Sequence, residues 1–228
     1  MNQTLLQAAA LIIPLIIAIV FHEVAHGWTA LALGDPTAQE QRRLSLNPLR
    51  HVDPMGTIVL PGFLALAGLP IFGWAKPVPV NRWRLNDPRR GMMAVAAAGP
   101  GTNLVLAAVG AVLLGVLVRL AGDAEGAGLT FAAMNLNNFI TINVFLALFN
   151  LLPIPPFDGS HIVEGLLPRR AARQYERFRP YGFPLLIVLL LVVPYFFPQW
   201  GIVRRVVLPP VIWATDHYYT LAQFVAGA

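Results

Sequence analysis

The chain contains no cysteine, which excludes disulfides, thiolate metal sites and cysteine nucleophiles. Charge is scarce as well. Only 12% of the 228 residues are Asp, Glu, Lys or Arg, roughly half of what soluble domains carry. No Lys or Arg precedes Arg42, so the first apolar stretch lacks the basic start of a secretory signal and reads as a retained helix. Internal repeats, low-complexity tracts and flexible interdomain linkers are also missing. What abounds is apolar: 57% of residues are hydrophobic and the mean hydropathy is +0.63. At about 20 residues per crossing, the length suits about five or six spanning helices and leaves little for a separate soluble domain. The expected fold class is an all-α polytopic membrane protein in a lipid bilayer. The net charge of +5 is mostly arginine, which in such a chain reports topology rather than a nucleic-acid partner.

Hydropathy and helix breakers divide the chain. Residues 4–33 form a first helix, stopped by Gly34-Asp35-Pro36. Residues 34–56 are polar and basic. Residues 57–74 are apolar but interrupted by Pro61, Gly62, Gly68, Pro70 and Gly73, and Lys76-Pro-Val-Pro-Val-Asn81 is extended because its prolines forbid a helix. Long helices follow at 92–121 and 131–152. Arg169 to Arg179 is a cationic loop that meets lipid headgroups, 181–198 is a fourth apolar span, and 206–226 is a weaker one carrying Asp216 and His217.

Five residues stand out against this background: His22-Glu23-Val24-Ala25-His26, inside the first hydrophobic segment. Two imidazoles and a carboxylate are costly there unless something coordinates or pairs them. His at i and i+4 share one helical face and can hold one metal ion, while the Glu between them projects toward a metal-bound water. A chain with five His and five Glu produces this spacing by chance on the order of a few times in a thousand. The pattern reads as a zinc hydrolase site in a bilayer. Without cysteine, a third protein ligand must be His, Asp or Glu. Asp158 is the best candidate, because Pro153, Pro155 and Pro156 break the preceding helix and let the chain turn a carboxylate back into the bundle. Taken alone, Asp158 would be a helix N-cap.

Three polar groups can meet at one side of the membrane. His22 and His26 lie toward the end of the first helix, Gly99-Pro-Gly-Thr-Asn103 near the start of helix 92–121, and Asp158 just past helix 131–152. They meet if residues 57–74 do not cross but enter and return, or lie as strands; an ordinary span there would put Asn103 on the wrong side. Thirteen of the sixteen basic residues fall in 42–90 and 169–179, whereas 122–130 has only Asp123 and Glu125. The positive-inside rule then puts the polar side in the cytoplasm.

The sequence resembles the site-2 protease family of intramembrane zinc metalloproteases. The matching pieces are Phe21-His-Glu-Val-Ala-His-Gly27, Gly99-Pro-Gly-Thr-Asn103 and Asn150-Leu-Leu-Pro-Ile-Pro-Pro-Phe-Asp-Gly159. Secondary matches are Asn47-Pro-Leu-Arg-His-Val-Asp-Pro-Met-Gly56 and Gly73-Trp-Ala-Lys-Pro-Val-Pro-Val-Asn81. They run in the family's order over about residues 20–165. The resemblance implies one zinc per chain held by His22, His26 and Asp158, with Glu23 as the base that activates the zinc-bound water. It implies a three-helix catalytic core, within about 4–165. With the hydropathy reading of further transmembrane helices within about 181–226 and a re-entrant or β-like segment at about 57–81, the chain is expected to form one integral-membrane domain over 1–228. A PDZ or CBS domain, frequent in the family, has no room here.

The implied activity is endoproteolysis in or near transmembrane segments of membrane-protein substrates, with the site toward the cytoplasm. The compact architecture suits a bacterial inner membrane, with an archaeal membrane as the alternative. A zinc-binding transporter or a proteolytically silent helix-binding relative is the alternative. A regulatory partner would be unidentified. Asn103 and Asn150 carry amide donors that either stabilise an oxyanion or substrate backbone, or make interhelical hydrogen bonds. The Pro-Val-Pro-Val stretch could receive an extended peptide by strand addition. His51 and Asp53 are expected to stabilise a loop, His161 to be an interfacial His rather than a fourth contact, and Gly110 and Gly115 to permit close helix packing.

Overall fold

A computed structural model describes residues 3–68, 73–122, 124, 126–197, 199, 201 and 203–227. Pro70, Asp123, Glu125 and Pro198 therefore lie outside the described residues. Helix α1 (Gln3–Ala32) contains Pro14, which deletes an N–H and leaves the Ala10 carbonyl without its helical partner. The Asn138 side-chain amide supplies one, donating to Ala10 O at 2.8 Å. In an apolar medium such a carbonyl must be satisfied from a neighbouring helix, so Pro14 and Asn138 form one device. Gly34, at φ 102°, ends the helix.

Residues 35–87 leave this helix end and come back to it. A short turn, α2 (Thr37–Glu40), is followed by a 3-10 turn at Pro48–His51. A π-type turn at Pro54–Val59 then runs into α3 (Leu60–Leu66). Pro54–Leu66 is an apolar helix too short to cross: at 1.5 Å per residue it covers roughly 20 Å of a roughly 30 Å hydrocarbon core. The expectation of strands here is replaced by this helix, because Asp53 caps it through Gly56 N at 2.7 Å and Pro54 favours a helical start. Residues 73–81 are extended without forming a ladder. Asn86 N then donates to Leu33 O at 2.8 Å, and Arg84 reaches Glu40 at 2.7 Å. The segment thus begins and ends at the same end of the bundle.

Helix α4 (Pro88–Ala121) starts from an Asp87 cap that accepts from both Arg89 N and Arg90 N, with Pro88 at the first helical position. Helix α5 (Ala127–Asn150) returns antiparallel to it, and α1, α4 and α5 pack together. After the proline-rich turn come α6 (Asp158–Leu166) and α7 (Arg169–Glu176). The expected cationic loop is therefore largely helical: Arg, Ala, Gln and Glu are good helix formers, and Tyr175 ties the helix to Pro153 O at 2.8 Å. Helix α8 (Arg179–Ile187), a π-type turn (Val188–Val192) and α9 (Val193–Phe196) continue one another, and α10 (Leu208–Ala226) lies against α4.

Among the described residues, four helices are long and apolar enough to cross a membrane: α1, α4, α5 and the run Arg179–Phe196. The expected weak span at 206–226 is the helix α10 but is not among the four. The outward faces carry exposed Leu11, Ile12, Val105 and Leu113, as lipid-facing helices do. The fold is all-α and polytopic, with no strand among the described residues.

Candidate metal centre

One turn apart on α1, the His22 and His26 rings meet edge-on with centroids 4.6 Å apart, and both residues are buried. Asp158, first residue of α6, points its Oδ2 at both. It lies 3.1 Å from His22 Nε2 and 3.3 Å from His26 Nε2. The N-cap position belongs to Phe157.

The far side of each ring decides what faces Asp158. His26 Nδ1 lies 2.7 Å from Val95 O, a carbonyl that can only accept, so Nδ1 carries the proton. His22 Nδ1 lies 2.5 Å from Asn103 Oδ1. That oxygen is fixed as the acceptor because the Asn103 amide nitrogen donates to Asn143 Oδ1 at 2.7 Å and Ala18 O at 3.3 Å. In the neutral imidazoles both Nε2 atoms therefore present lone pairs to a carboxylate oxygen. Three such lone pairs converging in a buried site repel one another unless a cation lies between them. Ligand atoms on a tetrahedral metal with bonds of about 2.0–2.1 Å sit about 3.3 Å apart, which matches the two spacings to Asp158. Outer hydrogen bonds from each ring are also what metal-binding imidazoles have. The residues fit a zinc ion.

Close approach of backbone makes room for them. A Cβ on Gly99 would lie 2.5 Å from His26 Cε1 and 2.6 Å from His22 Cε1, and one on Gly159 would lie 2.2 Å from Leu151 O. Gly99 lets α4 come up against the imidazoles, and Gly159 lets α6 fold back on the end of α5 so that Asp158 arrives.

Glu23 turns to the extended segment: its Oε2 accepts from Val78 N–H at 2.7 Å. That segment is also fastened at Trp74, Lys76 and Asn81. Trp74 N donates to Gly56 O at 3.1 Å and Lys76 N to His51 O at 2.8 Å. Arg43 donates to Lys76 O at 2.8 Å and Asn81 N to Asp35 Oδ2 at 2.6 Å.

The structure brings together His22, His26, Asp158 and Asn103, with Glu23 beside them. It does not bring Asn150 to the cluster by any hydrogen bond; its amide donates to Leu146 O of its own helix at 2.9 Å. Asn103 is fully buried with both amide donors engaged. His51 Nε2 bonds Ser45 O at 2.8 Å and stabilises its loop. His161 sits beside Arg179 at 3.3 Å. Sequence reasoning missed Asn143, which had the signal of a polar residue inside a span. It also missed Val78, whose contribution is a backbone group and leaves no such signal. Glu164 was passed over too; it is buried against Arg82 at 3.2 Å and against Arg179.

Residues 118–193 match the model of peptidase family M50, a stretch that includes Asp158 but not the His pair. The "putative zinc metalloprotease YwhC" of Bacillus subtilis is 40% identical over 181 residues, covering 79% of this chain and 80% of that protein. Two mycobacterial proteins named "putative zinc metalloprotease Rip2" are more distant. The one from Mycolicibacterium smegmatis is 32% identical over 180 residues, 78% of this chain and 65% of its own length. The one from Mycobacterium tuberculosis is 33% identical over 177 residues, 77% of this chain and 64% of its own length. No solved structure matches.

Proposed function

The chain belongs to peptidase family M50 and is a zinc metalloprotease of the intramembrane kind, and from that premise we propose that it hydrolyses peptide bonds in or near transmembrane segments of other membrane proteins. The observation that carries this is the convergence of His22, His26 and Asp158, with Glu23 beside them, at one end of three apolar helices. His22, His26 and Asp158 would hold the zinc. Bound there, the ion supplies Lewis acidity toward a carbonyl and toward water. Glu23 takes the proton from the attacking water and returns it to the leaving amine.

Asn103 acts on the reaction through His22, whose tautomer and ring orientation it fixes; its own donors are committed elsewhere. Asn150, half-buried with one N–H left beyond its bond to Leu146, is the side-chain donor proposed to face a substrate carbonyl. The extended segment suits an unwound peptide on its outward edge. The alternate residues that bond inward leave Ala75, Pro77 and Pro79 for that edge. Prolines there offer carbonyls and no N–H, so the peptide would donate its amides and keep its carbonyls free for attack.

The site faces the cytoplasm of a bacterial cell in this proposal, since the loops at its end hold most of the basic residues. Single cysteines at Gln39 and Asn86 then both label from the cytoplasmic side only, and labelling from opposite sides overturns the orientation. The experiment on activity is Glu23→Gln with a generic single-span substrate in proteoliposomes. The amide keeps the size and removes the base, so the variant holds one zinc per chain and loses cleavage. Turnover near the wild-type rate would sink the assignment.

A further inference from the structure

We propose that the backbone N–H of Val78 is a positioning group for the reaction: by binding Glu23 Oε2 it leaves Oε1 as the oxygen that handles the proton. The inference rests on the assignment of Glu23 as base.

The contact is short, 2.7 Å, and charge-assisted, a class of hydrogen bond about twice as strong as a neutral pair. A glutamate has three rotatable bonds, and a base free to swing spends little time at reacting distance. Among the described residues no other group bonds the Glu23 carboxylate, so its orientation depends on this donor.

The donor itself is rigid. Pro77 and Pro79 flank it; proline fixes its own φ near −65° and pushes the residue before it to extended conformation. The Lys76 and Asn81 amides anchor the segment on either side of Val78 at 2.8 and 2.6 Å. The Val78 side chain is buried against α1, where a Cβ on Gly27 would lie 2.9 Å from Val78 Cγ1. Two features of the sequence thereby receive one cause. Gly27, directly after the second His, admits the segment to α1. The alternation Pro-Val-Pro puts prolines where no inward donor is needed and a valine where one is.

The test separates the N–H from the side chain. Val78→Pro deletes the donor within a run already proline-like. Replacing Val78 by its α-hydroxy acid through nonsense suppression turns the N–H into an ester oxygen and keeps the isopropyl group. Val78→Ala is the conservative control that keeps the N–H. Each full-length variant is reconstituted with a single-span substrate, and zinc content, kcat and KM are measured with Glu23→Gln in parallel.

The expected result for the proline and ester variants is a kcat lower by about 10- to 100-fold, the range for losing a hydrogen bond to a charged group. Zinc stays at one per chain and KM changes by less than about threefold, since the donor touches neither metal nor substrate. Val78→Ala loses less than about threefold in kcat. An ester variant with wild-type kcat overturns the proposal, as does a Val78→Ala loss equal to that of the ester. If Val78→Pro fails to fold, the ester alone decides. Full activity of Glu23→Gln would instead overturn the base assignment, a distinct failure.

Discussion

The two halves of α4 use one device for two ends. In the first half Val95, Gly99 and Asn103 recur every fourth residue and form a single face against α1. Val95 O and Asn103 Oδ1 accept hydrogen bonds from the imidazole Nδ1–H groups, and Gly99 between them makes the space. In the second half Gly110 and Gly115, with Ala107, Ala111 and Leu114, admit α5 and α10. A Cβ on Gly110 would lie 2.9 Å from Phe139 Cδ1, and one on Gly115 2.4 Å from Ala222 O. The first half buries polar groups that bond one another; the second buries methyl and methylene groups. Close packing through small residues is thus a general means of joining membrane helices, and what lies opposite the glycine decides whether it builds chemistry or only cohesion.

If this division holds, changes on the first half act on the metal and changes on the second act on stability. The largest effect is expected at Asp158, which α4 does not carry but which completes the site on its first half. Asp158→Ala should lose both zinc and cleavage, whereas His161→Ala, three residues along α6, should keep its zinc by stoichiometry measurement. The opposite outcome would make His161 the third ligand. Gly99→Ala comes next. The new methyl must push the imidazoles off the geometry that Asn103 and Val95 hold, and zinc affinity should fall by about 10- to 100-fold, as for loss of outer-shell support. Competition with a chelator reads this directly.

The smallest effect is at Gly115→Ala. Overpacking against the Ala222 carbonyl should cost about 1–3 kcal/mol, seen as a lower melting temperature in detergent. The folded fraction should keep one zinc and wild-type turnover per bound metal. A zinc defect here would break the comparison between the halves.

Much of this was legible in the sequence because the signals are local. The five residues from His22 to His26 declare a helical face, and Gly34-Asp35-Pro36 and the prolines at 153, 155 and 156 mark where helices stop. The observed α1, α4 and α5 begin and end within a few residues of the expected spans. Less legible was the stretch 54–66, where glycine and proline suggested interruption. The Asp53 cap and a π-type turn absorb them into a helix. The basic run from Arg169 was read from its charge, although its residues are helix formers and Tyr175 anchors it.

Composition and spacing determined that this is an all-α membrane protein with a His pair able to share a metal, because apolar run length and a four-residue repeat follow from helix geometry alone. The meeting of Asp158 with that pair was an expectation, and only the tertiary structure decided it, through the Asn86–Leu33 bond that returns the chain to its starting side and the Gly159 contact that folds α6 back. The partner of each imidazole was likewise decided there. Val95 O is a main-chain carbonyl, which every residue possesses, and the Val78 N–H is a main-chain donor that every residue but proline possesses. The flanking prolines mark Val78 as the residue able to donate there, but only packing brings these groups to His26 and Glu23.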